Sequence, residues 1–146
     1  MTSGQRMKQI IHSVHIHASP SAVFSALTTA NGLRGWWTGE VDAEERPGGI
    51  IRFTFGGDFH PQMEQISLDV DRTVRWRCVD GHANWQDNTF TFAITDRDGE
   101  TFLMFKQDYA RELTDEAYGN YNFNWGYYLS SLKRLCETGV GTPFVP

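Results

Sequence analysis

The chain has 146 residues, five formal negative charges in excess and an aromatic share of 14%, which suits one domain with a substantial core and argues against a phosphate-binding surface. The basic residues are scattered, with Lys133 and Arg134 an adjacent pair near the C-terminus, so nucleic acid is not an expected partner. No stretch approaches the eighteen or so apolar residues of a membrane span. The start, MTSGQRMKQIIHS, lacks the apolar centre of a signal peptide, so a cytoplasmic protein without a membrane partner is expected.

In KQIIHSVHIHA, residues 8–18, Ile10, His12, Val14 and Ile16 alternate with Ile11, Ser13, His15 and His17, the period of a half-buried strand. Ser19-Pro20 then offers an N-cap and a first-turn proline, and the helix carries Val23, Phe24 and Leu27 on one side. Asn31-Gly32 interrupts it before a shorter turn of helix leads through Leu33 to Trp36 and Trp37. Adjacent helical residues diverge by about 100°, so the two indoles cannot share one pocket equally. Trp36 is assigned to a cavity wall, and Trp37 to a cover over the junction with the following strand.

Period two returns beyond residue 39. Ile51, Phe53 and Phe55 share a face in residues 49–57; Ile66, Leu68 and Val70 in 63–70; Val74, Trp76 and Cys78 in 73–79; Phe90, Phe92 and Ile94 in 88–95. Residues 101–107 are apolar on both faces in their first half. Short turns at Asp71-Arg72 and Asp96–Gly99 predict antiparallel hairpins. From Thr114 or Asp115 onward, Tyr118, Asn122, Trp125, Leu129, Leu132 and Cys136 recur at steps of four and three, a helix of about 22 residues, roughly 33 Å long. Gly139 is a fitting stop.

Strand, paired helices, a run of five or six strands and one long helix predict an α+β helix-grip fold, a curved antiparallel sheet wrapped around the C-terminal helix. The whole chain, 1–146, reads as one such domain. Several stretches carry a resemblance: IHASPSAVFSALTTANGLRGWWT, GGIIRF, VRWRC and NWGYYLSSLKRLCETGVGTPF. Their order and spacing resemble the SRPBCC (START-like) superfamily, and within it the family related to the C-terminal domain of the activator of the ninety-kilodalton heat-shock chaperone's ATPase. The resemblance runs from about Lys8 to Phe144 and implies the fold together with ligand-binding, co-chaperone or enzymatic roles. Two departures are Asn124, where that family's closing helix usually has glycine, and the long aromatic segment DYARELTDEAYGNYNFN before its tryptophan. Both fall at the mouth of a cavity between sheet and helix.

The candidate ligand-binding residues are Trp36, Phe53, Phe55, Trp76, Phe90, Phe92, Tyr121, Asn122, Trp125 and Leu129, with Trp85 at the entrance or on the surface. These aromatics either fill the interior or leave space for a ligand oriented by Asn122 or Tyr121, and Gly119, Gly126 and Ser130 on the helix supply the small residues for either outcome. The expected partner is a small apolar or amphipathic molecule; a chaperone-associated interaction module is the alternative, and a homodimer through an edge strand at residues 10–17 is open. A cyclase- or dehydratase-type enzyme would need a cavity carboxylate such as Glu64 or Asp108, which read more simply as solvated strand ends. No catalytic residue is assigned. His15 and His17 lie close enough to share a metal, but a third ligand among His60, His82 or Glu64 is not fixed by the spacing, so no metal and no cofactor are expected. Gly48-Gly49 and Gly56-Gly57 read as turns and bulges, and Cys78 and Cys136 as reduced core thiols.

Overall fold

A computed structural model describes residues 8–146; the leader-free reading of residues 1–7 lies outside them. The first strand, β1 (Gln9–Ile16), leads into α1 (Pro20–Thr28) and α2 (Ala30–Trp36). Ser19 Oγ accepts from Ala22 N and Thr29 Oγ1 from Gly32 N, so each short helix has the N-cap that satisfies one of its free amides. The strands β2 (Glu40–Ala43), β3 (Ile50–Thr54), β4 (Gln62–Asp69), β5 (Thr73–Asp80), β6 (Thr89–Arg97) and β7 (Glu100–Asp108) precede the closing helix α3 (Asp115–Thr138).

All seven strands form one antiparallel sheet in the order β1-β7-β6-β5-β4-β3-β2, and α3 crosses its concave face, which is the helix-grip arrangement. Thr114 Oγ1 caps α3 by accepting from Ala117 N, and Gly139, at φ 87°, ends it. The helix is 24 residues long, about half a turn more than the stripe predicts. Among the described residues no helix is long and apolar enough to cross a membrane.

The faces assigned by alternation hold in β3, β5 and β6, where Ile51, Phe53, Val74, Trp76, Cys78, Phe90 and Phe92 are buried. In β4 they hold only in part. A bulge between Gln65 and Ser67 shifts the register against β5, so Met63 and Gln65 before it and Leu68 after it pack inward, while Ile66 and, beyond the strand, Val70 face water. Buried Gln65 donates to the carbonyls of Glu44 and Arg46 at 2.8 and 3.3 Å and so holds the β2–β3 connection. Cys78 and Cys136 are free thiols, and burial pushes each up to about 11.

Both open edges of the sheet are met by side chains. Along β1, Tyr118 Oη donates to Gln9 O at 3.0 Å, Lys133 Nζ to His15 O at 2.6 Å, and His17 N to Glu137 Oε2 at 2.8 Å. On β2, Arg34 Nη2 donates to Val41 O at 2.7 Å. These contacts occupy part of each edge and leave the rest of it open.

Candidate functional site

Beneath α3 the interior is solid. Trp36, Phe53, Trp76, Phe90, Phe92 and Phe105 are almost wholly excluded from water and meet ring to ring, Trp76 against Phe92 at 4.8 Å and Phe92 against Phe105 at 5.1 Å. Of the predicted ligand-binding residues, Trp36, Phe53, Trp76, Phe90, Phe92 and Leu129 are therefore core packing, because six- and nine-atom rings on facing strands leave no room between them. Asn122 also stands away from any opening: its Oδ1 meets His12 Nε2 of β1 at 2.9 Å. Of the small residues on α3, Gly126 faces the His12 ring, and Gly119 faces open space.

An apolar cleft lies at one end of the grip. Half-enclosed and about 450 Å³ in volume, it is formed where the β3–β4 hairpin, the β5–β6 loop, α3 and the C-terminal tail converge. Phe55, Gly56 and Phe59 come from the hairpin, His82 and Trp85 from the loop, and Tyr121, Asn124, Trp125 and Tyr128 from successive turns of α3, with Trp37 and Phe144 closing it. Of the predicted set, Phe55, Tyr121 and Trp125 are brought together here. The departures at Asn124 and in the aromatic segment before it do reach this cleft.

The tryptophan pair takes the opposite assignment to the one expected. Trp36 Nε1 donates to Ala26 O of α1 at 2.8 Å, and the side chain is wholly buried. Trp37 is the C-cap of α2, still in right-handed helical geometry with its N–H on Leu33 O, and its ring stacks beside that of Trp36 at 5.8 Å and 13°. It meets Phe53 at 4.4 Å, Trp125 at 5.1 Å and Phe55 at 5.2 Å, with Trp85 at 6.2 Å. Trp37 is thus the wall between core and cleft. Trp85, expected at the entrance or surface, is only 3% exposed and stacks over Trp125 with an interplanar angle of 10°.

The loop that carries Trp85 is braced from several sides. Gly81 has φ 110°, and a Cβ there would collide with the carbonyl of His60, so only glycine lets the loop lie against the hairpin. Arg111 donates to the carbonyls of Ala83 and Gln86, and Asn88 Oδ1 accepts from Ala110 N at 2.9 Å. Behind the wall, Trp125 Nε1 donates to Gln107 Oε1 at 2.7 Å and so fixes its indole. Trp85 Nε1, Gln107 Nε2 and Tyr109 Oη are buried without a closed hydrogen bond. Burial pushes the Tyr109 phenol well up, against the smaller opposing effect of Trp85 and Gln107 beside it.

Polar groups at the rim are few and directed. His82 Nδ1 accepts from Asn84 N at 3.1 Å, which in the neutral ring leaves the proton on Nε2 as a donor. Tyr121 Oη accepts from Asn84 Nδ2 at 3.2 Å and keeps its own proton free to donate. The carboxylates considered for catalysis are elsewhere. Glu64 Oε1 pairs with Arg77 Nη2 at 3.3 Å and Asp108 Oδ1 accepts from Gln9 Nε2 at 2.6 Å, both outside the cleft lining.

Phe59, Phe144, Tyr128 and His82 carry no signal in the sequence, because each lies in a turn, the tail or a partly exposed helix face where periodicity is silent. Phe144 is placed by a short parallel bridge to Thr38, in which its N–H donates to Trp37 O at 2.8 Å and its carbonyl accepts from Gly39 N at 2.9 Å.

Residues 17–137 match the family described as activator of Hsp90 ATPase homolog 1-like protein. The solution structure of the Aha1 dimer from Colwellia psychrerythraea is similar over 92% of this chain and 100% of its own, at 32% identity and a TM-score of 0.83. Protein MLL2253 from Mesorhizobium loti is 18% identical over 88% of this chain and 96% of its own, with a TM-score of 0.75. CalU16 from Micromonospora echinospora is 16% identical over 93% and 78%, with a TM-score of 0.73. These last two share the fold. A comparison with curated proteins gives no match.

Proposed function

The chain belongs to the family of activator of Hsp90 ATPase homolog 1-like proteins, and from that premise we propose that its cleft binds a small amphipathic molecule. The observation that carries the reading is the cleft itself: about 450 Å³ walled by Trp37, Phe55, Trp85 and Trp125, with His82 and Tyr121 at its rim. That volume falls within the roughly 300–1,000 Å³ of small-molecule pockets, as does the combination of apolar walls with a few directed polar groups. The ligand would lay an apolar, ring-sized body against the indoles and present an oxygen acceptor to His82 Nε2–H and Tyr121 O–H. Burying about 200 Å² of ligand apolar surface is worth about 5 kcal/mol before the costs of association, enough for binding but not for high affinity without the rim hydrogen bonds.

Asn124 stands at the mouth on the exposed side of α3, so Asn124→Trp obstructs entry without disturbing the core. Native mass spectrometry of the protein purified from its own host is expected to show a retained small molecule in the wild-type chain and none in N124W. An equal adduct in both, or none in either, counts against the reading.

A second reading, a protein-contact role, rests on the outer face of α3, where Phe123 is 78% and Tyr127 51% exposed. Tyr127 meets Tyr128 of the cleft edge-on at 5.0 Å, so aromatic surface continues from the cleft onto the helix. That face would serve a homodimer, as in the Colwellia relative, or a chaperone contact of the kind the family description names. A cyclase or dehydratase activity finds no carboxylate among the residues lining the cleft.

A further inference from the structure

The outer face of the sheet carries a second constellation, far from the cleft. In the antiparallel pairing of β1 with β7, His15 lies opposite Phe102 and Ile16 opposite Thr101. Continuing that register brings His17 level with Glu100, and period two puts His15 and His17 on the same outward face. His15 Nε2 meets Glu100 Oε1 at 2.9 Å, and His17 Nδ1 meets Glu100 Oε2 at 2.9 Å. One ligand atom from each of the three side chains lies within 4.8 Å of the others. The third group missing from the sequence reading is thus supplied by strand pairing, not by His60, His82 or Glu64.

We propose that His15, His17 and Glu100 form a surface site for a divalent transition-metal ion of the zinc type. Two imidazole nitrogens and one carboxylate oxygen are the ligand types that zinc and its neighbours favour, whereas calcium and magnesium take oxygen alone. Metal–ligand bonds of about 2.0–2.1 Å place tetrahedral donors a little over 3 Å apart, so the two His–Glu pairs, at 2.9 Å, open slightly while the two imidazole nitrogens draw together from within 4.8 Å. All three are exposed side chains on or beside paired strands, so that adjustment asks for side-chain rotation and not strand movement. The rings are already oriented: His15 stacks on Phe102 at 4.2 Å and 10°, and the two imidazole centroids are 4.3 Å apart. Access is open, since the side chains of His15, His17 and Glu100 are 38%, 58% and 44% exposed.

On binding, the metal takes His15 Nε2 and His17 Nδ1, so the ring protons reside on His15 Nδ1 and His17 Nε2 and no net protonation change is needed for neutral rings. Water fills the remaining positions. Two cations stand nearby. Lys133 Nζ is 2.7 Å from Glu137 Oε2, which offsets its charge, and the Arg97 guanidinium lies over the Phe102 ring at 4.3 Å.

Isothermal titration of the tag-free full chain with zinc chloride, and separately with nickel chloride, tests the site. One ion per chain is expected. His15→Ala, His17→Ala and Glu100→Gln should each weaken it by about tenfold or more, since even groups that only orient metal ligands are worth ten- to a hundredfold. His60→Ala, at an exposed histidine elsewhere, should bind as the wild type does. Thermal melts of the same samples add a readout tied to the fold: zinc should raise the melting temperature of the wild type and H60A, and leave that of H17A unchanged. No binding by the wild-type chain, or equal affinity in the wild type, H17A and E100Q, overturns the proposal.

Discussion

Trp36 and Trp37 show how one residue step separates packing from function. Trp36 anchors the two short helices through its bond to Ala26 O, and Trp37 forms the common wall of core and cleft. Trp36→Phe loses that hydrogen bond and some packing, so a urea melt should show it less stable by about 1–2 kcal/mol, with affinity for an amphipathic probe unchanged. Trp37→Phe trims the wall. A stacked aromatic contact is worth about 1 kcal/mol, so it should weaken the same probe by roughly fivefold. The reverse pattern would restore the assignment that the sequence suggests. Helical spacing predicts that the two side chains diverge, yet their rings stack at 5.8 Å and 13°, because side-chain torsions bring the planes together; which of them reaches the cleft depends on tertiary neighbours that the sequence does not show.

At the scale of elements, the long helix was the most legible feature: its cap, its stripe and its terminating glycine all speak in local terms. The β4 faces were not, since the bulge at Gln65–Ser67 is a matter of pairing with β5 and leaves no mark in the alternation of Ile66, Leu68 and Val70. The four residues of β2 are too few to show a period. α3 also bears on assembly. Tyr118 and Lys133 take two carbonyls of the β1 edge and Arg34 one of β2, which leaves the middle of β1 open for strand addition at residues 10–17. The exposed aromatics of α3 offer a second and more apolar dimer surface. Sedimentation at increasing concentration is expected to give a wild-type dimer that Phe123→Ser returns to monomer; a wild-type monomer throughout would remove the homodimer from the second reading.

For the molecule as a whole, aromatic content decides where a ligand can go. A sheet curled around a helix can hold a central cavity, but here the rings from both sides fill it, and an apolar cleft is displaced to the end where turns and tail meet. That displacement is why the strand-borne candidates proved to be core while the cleft drew on Phe59, His82 and Phe144, which only the tertiary fold assembles. The most direct test uses the five tryptophans as reporters. In nitrogen-15 proton spectra their indole N–H signals, assigned by Trp→Phe substitution, should respond selectively as 8-anilinonaphthalene-1-sulfonate is added. The signals of Trp37, Trp85 and Trp125 should move together along one binding curve while those of Trp36 and Trp76 stay still. Unchanged indole signals at saturating probe, or shifts in Trp36 and Trp76 as large as those of the cleft, would contradict a ligand-binding cleft at this end of the fold.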